Sequence, residues 1–296
     1  MKKSLSFMIP FLCLAFLCLT FLSVQLYTQQ EAPITIEKVS GEVYCLYGSG
    51  GNIGIYVGED SLLLVDAQYA RTADAAMAKI KELSPKSIRY LINTHYHGDH
   101  TSGNPILGRE AQIISHKNCK KSLLAQKKPE VTEESIGAPT ETFAEEMTIP
   151  MGDDAVRLVH MGPGHTSGDT IVIFDKAKVI HAGDLFFHGV PPYIDVNDGS
   201  DTKNWVRIIR TLAEKYPDFK VIPGHGEVTD MKDYVGFADY LDYLRKEVAA
   251  AIAEGKTKEQ TVESIDLSMF ADMPDRGEFL TKTKNIEWIY DEMTRK

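Results

Sequence analysis

The chain has 296 residues, of which 43% are apolar and 25% are charged, and its formal net charge at pH 7 is −10. A chain of this length and apolar content can bury a sizeable core, so a folded globular protein is expected. The acidic balance argues against nucleic acid and anionic membrane surfaces as partners.

The first thirty residues differ from the rest of the chain. Lys2 and Lys3 precede an uncharged, mostly apolar run at residues 4–24. This pattern is typical of a secretory signal peptide or an N-terminal membrane anchor, and no small-residue cleavage motif decides between the two. We therefore predict an exported protein that is extracellular, periplasmic or anchored to the cell membrane. Residues 1–30 would be its leader and sole membrane contact, and residues 31–296 a single folded domain.

The first half of that domain shows strand patterns followed by a helix. The predicted strands are EVYCLYG, NIGIYVGED, SLLLVDA and SIRYLIN, and the helix ARTADAAMAKIKELS precedes the last of them. Glycine and aspartate residues punctuate the turns between the strands. The alternating and amphipathic patterns together favour a mixed α/β fold.

The second half combines strands and helices again. Its predicted strands are AVRLVHM, TIVIFD, KVIHAG and KVIP, and its predicted helices are DTKNWVRIIRTLAEKY and MKDYVGFADYLDYLRKEVAAAIAEG. Residues 117–150 are polar and lack sustained periodicity until Phe143, which predicts a surface insertion. Helices mixed with strands in both halves favour a layered α/β sandwich over an all-β barrel.

Two cysteines, Cys45 and Cys119, lie outside the leader. They could pair in an oxidising compartment, or they could be two partly buried free thiols. Their separation along the chain leaves both alternatives open.

Five histidines and two aspartates occur in tight or glycine-rich turns near the ends of predicted strands. They are His95, His97, Asp99 and His100 in THYHGDH, His165 in GPGHTSGD, Asp184 in HAGD and His225 in PGHGE. Residues two apart in an extended segment project to the same side, so His95 and His97 can bind one ion. Gly98 then lets the chain turn, and Asp99 and His100 point to a neighbouring position. The pattern predicts two adjacent metal positions with a bridging hydroxide as the nucleophile.

The ligand types also narrow the choice of metal. Imidazole with a few carboxylates suits zinc best, with iron or manganese as alternatives. We therefore predict two zinc ions as cofactors.

THYHGDH matches the H-x-H-x-D-H signature of the metallo-β-lactamase fold superfamily, and the segments around the later ligands resemble its remaining metal motifs. The resemblance covers about residues 39–230, leaving predicted helices over residues 231–296. It implies a four-layer αβ/βα sandwich with the metal site at one edge of the sheets.

The resemblance also implies individual roles for these residues. His95, His97 and His165 would hold the first metal, Asp99, His100 and His225 the second, and Asp184 would bridge the two. Asp99 would in addition be the catalytic residue that orients the bridging hydroxide and handles its proton. Asp66, at the end of LLLVD, resembles the buried aspartate that lies behind the ligands, with an ordinary turn aspartate as the alternative.

Two positions bear on the substrate. The superfamily's β-lactamases carry Cys or Ser at the position of Asp184, so a β-lactam is disfavoured. Phe187 stands where one β-lactamase group has a substrate-binding Lys and the lactonases have a Tyr, so neither substrate assignment transfers. The PYID run and the helix that contains Trp205 resemble the exported SoxH-like, or quinoprotein-relay, subgroup.

These resemblances lead to one expected function and several alternatives. We expect an exported dinuclear zinc hydrolase acting on a small-molecule ester, thioester, lactone or amide. A mononuclear iron oxidoreductase of the persulfide dioxygenase type, a β-lactamase and a non-catalytic metal-binding module stay open. His97 argues against a flavodiiron protein, because that group normally has Glu there, and Asp99 and Asp184 argue against a non-catalytic module.

Other aromatic residues and histidines receive weaker assignments. Candidates for lining a substrate pocket are Phe186, Phe187, His188, Tyr193 and Trp205, with plain packing as the alternative. Three further histidines, His116, His160 and His181, are predicted to be structural.

Overall fold

Two β-sheets lie face to face in the computed structural model, which describes residues 32–295. The strands of the first sheet are, in spatial order, β1 (Thr35–Ser40), β2 (Val43–Tyr47), β3 (Ile53–Val57), β4 (Leu62–Val65), β5 (Ile88–Asn93), β6 (Gln112–His116) and β7 (Glu141–Phe143). Neighbouring strands are antiparallel from β1 to β4 and parallel from β4 to β7.

The second sheet has six strands. They are β8 (Glu146–Met151), β9 (Asp154–Val159), β10 (Ile171–Phe174), β11 (Val179–Phe187), β12 (Lys220–His225) and β13 (Thr229–Asp230), in the spatial order β13-β12-β11-β10-β9-β8. Only β11 and β12 pair in parallel within this sheet. The carboxyl ends of these two strands therefore lie side by side.

Helices cover the outer faces of both sheets, lie at their edge or pack on other helices. They are α1 (Ala70–Leu83), α2 (Gly98–Thr101), α3 (Asn104–Leu107), α4 (Lys117–Gln126), α5 (Thr202–Lys215), α6 (Met231–Ala253), α7 (Lys258–Ser264) and α8 (Lys282–Thr294). Within residues 32–295, no helix combines the length and the apolar character needed to cross a membrane. The predicted leader lies outside the described residues.

Three buried clusters separate four layers. The first cluster packs α1 and α3 against the first sheet, the second lies between the two sheets, and the third packs α5, α6 and α8 against the second sheet. Helix α5 shows why the pattern works, since Trp205, Ile208, Ile209 and Leu212 recur at helical spacing on its buried face. The predicted four-layer αβ/βα sandwich is confirmed.

The predicted surface insertion at residues 117–150 is partly wrong. It contains α4, β7 and β8, with irregular chain between α4 and β7. The ring of His116 begins α4 by accepting a hydrogen bond from the backbone N–H of Asn118, at 3.3 Å. These elements are short and polar on one side, so they leave too few apolar residues for periodicity to show.

Both cysteines are buried free thiols, Cys45 on β2 and Cys119 on α4. Burial raises the pKa of each thiol well above its ordinary value. Of the two alternatives, the structure has the free thiols.

A buried amide helps to tie the C-terminal helix α8 to the rest of the domain. Asn285 Nδ2 donates to the backbone oxygen of Pro192 at 2.6 Å, and the Tyr240 hydroxyl on α6 donates to Asn285 Oδ1 at 2.7 Å. Both Asn285 and Tyr240 are completely buried. One side chain thus joins two helices to the loop that follows β11.

We expect Asn285→Ala to lower the free energy of unfolding by about 2–4 kcal/mol, because a buried hydroxyl and a buried carbonyl each lose a partner. Urea denaturation of the full-length protein measures this change. Thr283→Ala, on the exposed side of the same helix, is the matched control and should stay within about 0.5 kcal/mol of the parent. An equally small effect of Asn285→Ala would contradict the prediction.

Candidate metal centre

The seven predicted ligands converge at one edge of the two sheets. His95 and His97 follow β5, Asp99 and His100 open α2, and His165 lies between β9 and β10. The remaining two lie on the parallel strand pair, Asp184 within β11 and His225 at the end of β12.

The sequence predicted that Asp184 lies in a turn after its strand. In the structure it lies inside the strand. The strand β11 continues to Phe187, and its register with β12 shifts at Gly183, whose φ is 53°. A Cβ at Gly183 would also lie 2.6 Å from Thr94 Cβ. This left-handed residue redirects the strand just before Asp184.

The first group of candidate ligands comprises His95, His97, His165 and Asp184, whose facing atoms all lie within 4.8 Å of one another. His165 Nε2 is 3.0 Å from His97 Nδ1. Asp184 Oδ2 is 3.7 Å from His95 Nε2 and 3.6 Å from His165 Nε2. Three imidazole nitrogens and one carboxylate oxygen therefore surround a single point.

The second group comprises Asp99, His100 and His225, again within 4.8 Å of one another. His225 Nε2 is 3.3 Å from Asp99 Oδ2 and 3.4 Å from Asp184 Oδ2. His100 Nε2 is 3.1 Å from Asp184 Oδ1. The carboxylate of Asp184 thus contacts both groups.

The outward-facing ring nitrogens show which way the histidines present their lone pairs. His100 Nδ1 is 2.7 Å from Asp66 Oδ2, and His97 Nε2 is 3.0 Å from Asp195 Oδ2. His165 Nδ1 is 2.9 Å from the backbone oxygen of Tyr193. Since these partners can only accept, each outward nitrogen donates its N–H, and the other nitrogen is the one that can present a lone pair to a metal ion.

Two further observations indicate that the residues of the site fit divalent metal ions. His95 Nε2 is buried and makes no hydrogen bond, which is costly unless a ligand satisfies it. The backbone also approaches the ligands closely, since a Cβ at Gly224 would lie 1.9 Å from Asp184 Oδ1 and one at Gly51 2.1 Å from His100 Cε1. Imidazole with carboxylate is a donor set that zinc, iron and manganese accept.

Asp66 is the buried aspartate that the resemblance implied. It accepts from the backbone N–H of Thr94 at 2.8 Å and from the Thr94 hydroxyl at 2.7 Å, in addition to His100. Thr94 Oγ1 is in turn 3.0 Å from His95 Nδ1. The backbone of Asp66 has a φ of 67°, an unusual value for a residue with a side chain, so the surrounding structure must hold it in place.

Asp195 was missed as a residue that supports the ligands. Its Oδ2 contacts His97 and accepts a hydrogen bond from the Tyr96 hydroxyl, while Asp198 N donates to its Oδ1 at 3.1 Å. Burial raises the pKa of this carboxyl, but the hydrogen bonds outweigh burial and hold the pKa well below its ordinary value. Asp195 is the last residue of the PYID run, which the sequence analysis singled out. Its contact with His97 could not be predicted because the two residues are far apart along the chain.

Burial lowers the pKa of two candidate ligand histidines, while neighbouring carboxylates raise the pKa of two others. Burial lowers the pKa of His95 well below its ordinary value and that of His165 to about 4. Burial also lowers the pKa of His100 and His225, but neighbouring carboxylates, Asp184 foremost, outweigh it, placing the former well above its ordinary value and the latter at about 9. Metal binding at the second group would therefore release protons.

The two carboxylates of the centre stay ionised because the neighbouring histidines lower their pKa values. Burial raises the pKa of Asp99, but the charges of His100 and His225 lower it to about 2. The same two histidines hold the pKa of Asp184 well below its ordinary value against complete burial. Both carboxylates are thus available as ligands at neutral pH.

Residues 46–225 match the family model described as "Metallo-beta-lactamase superfamily". The chain belongs to the metallo-β-lactamase superfamily. It is 27% identical over 195 residues to a probable metallo-hydrolase of Methanocaldococcus jannaschii, an alignment that spans 62% of this chain and 91% of that protein.

Two solved structures share the fold. A metallo-β-lactamase from Pontibacter korlensis has a TM-score of 0.62 at 20% identity, covering 71% of this chain and 99% of its own. The inverting sec-alkylsulfatase Pisa1 from Pseudomonas sp. has a TM-score of 0.70 at 15% identity, covering 88% of this chain and 50% of its own. At these identities the likeness is one of fold alone.

Within this superfamily fold, three of the five predicted pocket residues pack in the core instead. Phe186, Phe187 and Trp205 are at most 2% exposed. Phe187 stacks on the ring of His225 at 5.1 Å between centroids, and Trp205 contacts the ring of His165 at 5.7 Å. Phe187 and Trp205 thus support candidate ligands from behind, and all three side chains belong to the third apolar cluster.

The other two pocket candidates remain partly accessible. His188 is half-buried, donates through Nδ1 to the backbone oxygen of Glu227 at 2.8 Å, and belongs to neither ligand group. Tyr193 is half-buried, and its ring centroid is 5.4 Å from that of His97. Tyr193 is therefore the member of the predicted set that borders the first group.

The three histidines predicted to be structural lie outside both ligand groups. His116, His160 and His181 each hydrogen-bond a backbone oxygen, and the rings of His116 and His160 stack at 3.8 Å between centroids. Burial, and for His116 the neighbouring ring of His160, lower all three pKa values, to about 4 for His116 and His181. These residues fold as neutral rings.

We expect the neutral state of His116 to make folding sensitive to acid. Its folded pKa is about 4, below the value of about 6.5 in an unfolded chain, so the unfolded state binds more protons between these values. The stabilisation is complete above about pH 6.5 and is lost as the pH falls toward 4. In chelator-treated protein, His116→Gln should flatten the fall in urea-derived stability between pH 7 and 5, and an unchanged slope would refute this.

We expect Asp66→Asn and Asp195→Asn to weaken metal binding at different groups, since each removes the carboxylate that orients one ligand histidine. Asp66 supports His100 and Asp195 supports His97, so each variant should lose about 10- to 100-fold in affinity at one ion only. Titration against a chromophoric chelator measures both steps. Asp74→Asn, exposed on α1, is the matched control, and an equal loss at both ions in either variant would contradict the assignment.

Proposed function

We propose that this protein is a hydrolase with two divalent metal ions, zinc by preference, that cleaves an ester, thioester, lactone or amide bond of a small molecule. The observation that carries the proposal is the position of Asp184. Its Oδ2 faces His95, His165 and His225, and its Oδ1 faces His100, so one carboxylate joins two ligand groups. Two adjacent divalent ions make bound water a nucleophile at neutral pH and polarise the carbonyl that it attacks.

Asp99 has the features of a residue that positions the attacking water. It is the most exposed of the seven candidate ligands, with 22% of its side-chain surface accessible, so it meets incoming substrate. Its carboxylate is held by His225 on one side, and its low pKa keeps it ionised. An ionised carboxylate at this place orients a water molecule by accepting its hydrogen bond.

The loop between β2 and β3 holds the segment of Asp99 in place. The backbone N–H of Gly51 donates to the backbone oxygen of Asp99 at 2.9 Å. Asn52 Nδ2 donates to the backbone oxygens of Pro223 and Gly226, at 2.9 Å and 2.8 Å. The same loop thus ties α2 to the end of β12, and with it Asp99 to His225.

A complete second group also supports two ions over one. Asp99, His100 and His225 converge as closely as the first group does, and a mononuclear iron oxidoreductase needs only one group. We therefore place the oxidoreductase second. A β-lactam substrate stays disfavoured on the identity of Asp184.

Two further parts of the proposal concern subgroup and location. The motifs that resemble the SoxH-like subgroup both reach the centre, Asp195 through His97 and Trp205 through His165, which supports that branch. Export, by cleavage or with the leader as an anchor, is proposed from residues 1–30 of the sequence.

Metal content and hydrolysis, measured together on the full-length protein, test the proposal. We expect two divalent ions per chain, hydrolysis of at least one compound in a panel of an ester, a thioester, a lactone and nitrocefin, loss of activity with a chelator, and recovery with zinc. Asp99→Asn should lower kcat at least about a hundredfold. Asp74→Asn should leave it unchanged.

One result would overturn the hydrolase assignment, and another would overturn the role of Asp99 alone. One iron per chain with oxygen uptake on a glutathione persulfide would replace the hydrolase by a dioxygenase. Near-normal kcat in Asp99→Asn would remove Asp99 from its role while leaving the metal centre in place.

A further inference from the structure

A short hairpin from the C-terminal region borders the metal centre. Arg276 and Leu280 pair through two backbone hydrogen bonds, of 2.8 and 3.3 Å, and Gly277 makes the turn with a φ of 64°. Lys282 Nζ secures its base by donating to Asp275 Oδ1 at 2.9 Å and to the backbone oxygen of Met273 at 2.5 Å. We call residues 276–280 the C-terminal hairpin.

Phe279 gives this hairpin an exposed apolar surface beside the first ligand group. Its side chain is 57% exposed although it is large and aromatic. It packs on the ring of Tyr193 at 5.1 Å and on that of Trp288 at 5.3 Å between centroids. Tyr193 in turn contacts His97, so the three aromatic rings form a continuous wall that ends at a candidate ligand.

Arg276 places a cation beside the second ligand group, whereas Phe279 and Tyr193 lie beside the first. It lines a cavity of about 570 Å³ that is also lined by His225 and by Gly50 and Asn52 of the β2–β3 loop. The size is that of a small-molecule pocket. The Arg276 side chain makes no ion pair within residues 32–295, so its guanidinium is free to bind a ligand.

Two carboxylates share the cavity with Arg276 and limit what it can accept. Glu37 Oε1 accepts a hydrogen bond from the Tyr47 hydroxyl at 2.6 Å, while Glu227 is exposed. They repel a ligand that carries several negative charges. A single carboxylate, in contrast, matches the planar donors of one guanidinium.

We infer that the C-terminal hairpin is the substrate-recognition element and that the substrate is an amphiphilic monoanion. Its apolar part lies on Phe279 and Tyr193, its single anionic group binds Arg276, and the bond to be cleaved lies between them at the two ligand groups. The inference rests on the proposed hydrolysis and adds the substrate class to it.

Two esters of matched length test the inference on the full-length, metal-loaded protein. One is p-nitrophenyl valerate, which is neutral, and the other is the mono-p-nitrophenyl ester of glutaric acid, which carries one carboxylate in place of a methyl group. Arg276→Gln should lower the ratio of kcat/KM for the anionic over the neutral ester about tenfold, mainly through KM, as expected for one charge-assisted hydrogen bond. Arg276→Lys should recover part of that ratio.

Phe279→Ala should lower kcat/KM for both esters several-fold and leave their ratio unchanged, because it removes apolar contact from each. Arg109→Gln is the control, since Arg109 is likewise exposed but lines a different cavity beside α1 and α3. An unchanged ratio in Arg276→Gln, with both esters still cleaved, would overturn the inference and leave the proposed function standing.

A binding measurement distinguishes failure of the proposed hydrolase function from failure of the substrate-recognition inference. If the wild-type protein cleaves neither ester nor any compound of the earlier panel, the proposed function fails, and calorimetric titration with 4-phenylbutyrate then decides the hairpin's role. Binding about tenfold weaker in Arg276→Gln than in Arg109→Gln would support recognition of the anion by Arg276. Equal binding in the two variants would refute it.

Discussion

The carboxylate of Asp184 is the feature on which the rest of the centre depends. It is 5% exposed and lies among four imidazole rings. A buried charge is stable only when opposite charges or a metal compensate it. The parallel pairing of β11 with β12, the left-handed Gly183 and the small size of Gly224 together make room for this carboxylate between the two groups.

Support for the ligands extends from Asp184 through successive layers of the domain. Asp66 links His100 to Thr94 on one side, and Asp195 links His97 to Tyr96 on the other. The loop that carries Asp195 is itself held by α8, through the contact between Asn285 and Pro192. The C-terminal helices are thus connected to the candidate metal centre through this loop and the hydrogen bonds that Pro192 and Asp195 make, and the hairpin that precedes α8 lies nearby.

Much of the fold was predictable because it rests on local patterns. The four layers follow from strands and amphipathic helices whose periodicity is visible in the sequence, as in α1 and α5. Residues 117–150 were predicted less well, since α4, β7 and β8 are too short to show a period. Phe186, Phe187 and Trp205 are pocket candidates in the sequence because they lie near Asp184 along the chain. That proximity does not indicate where a side chain points, and packing places all three in the core.

The sequence by itself determined the set of candidate ligands, since packing alone rarely requires so many histidines and aspartates in strand-end turns and their spacing within THYHGDH is a local property. Only the tertiary structure decided which residues support and surround them. Asp195 meets His97 across 98 residues of chain, and Arg276 shares a cavity with His225 across 51. Such contacts depend on how the layers pack, and no periodicity or local spacing encodes them.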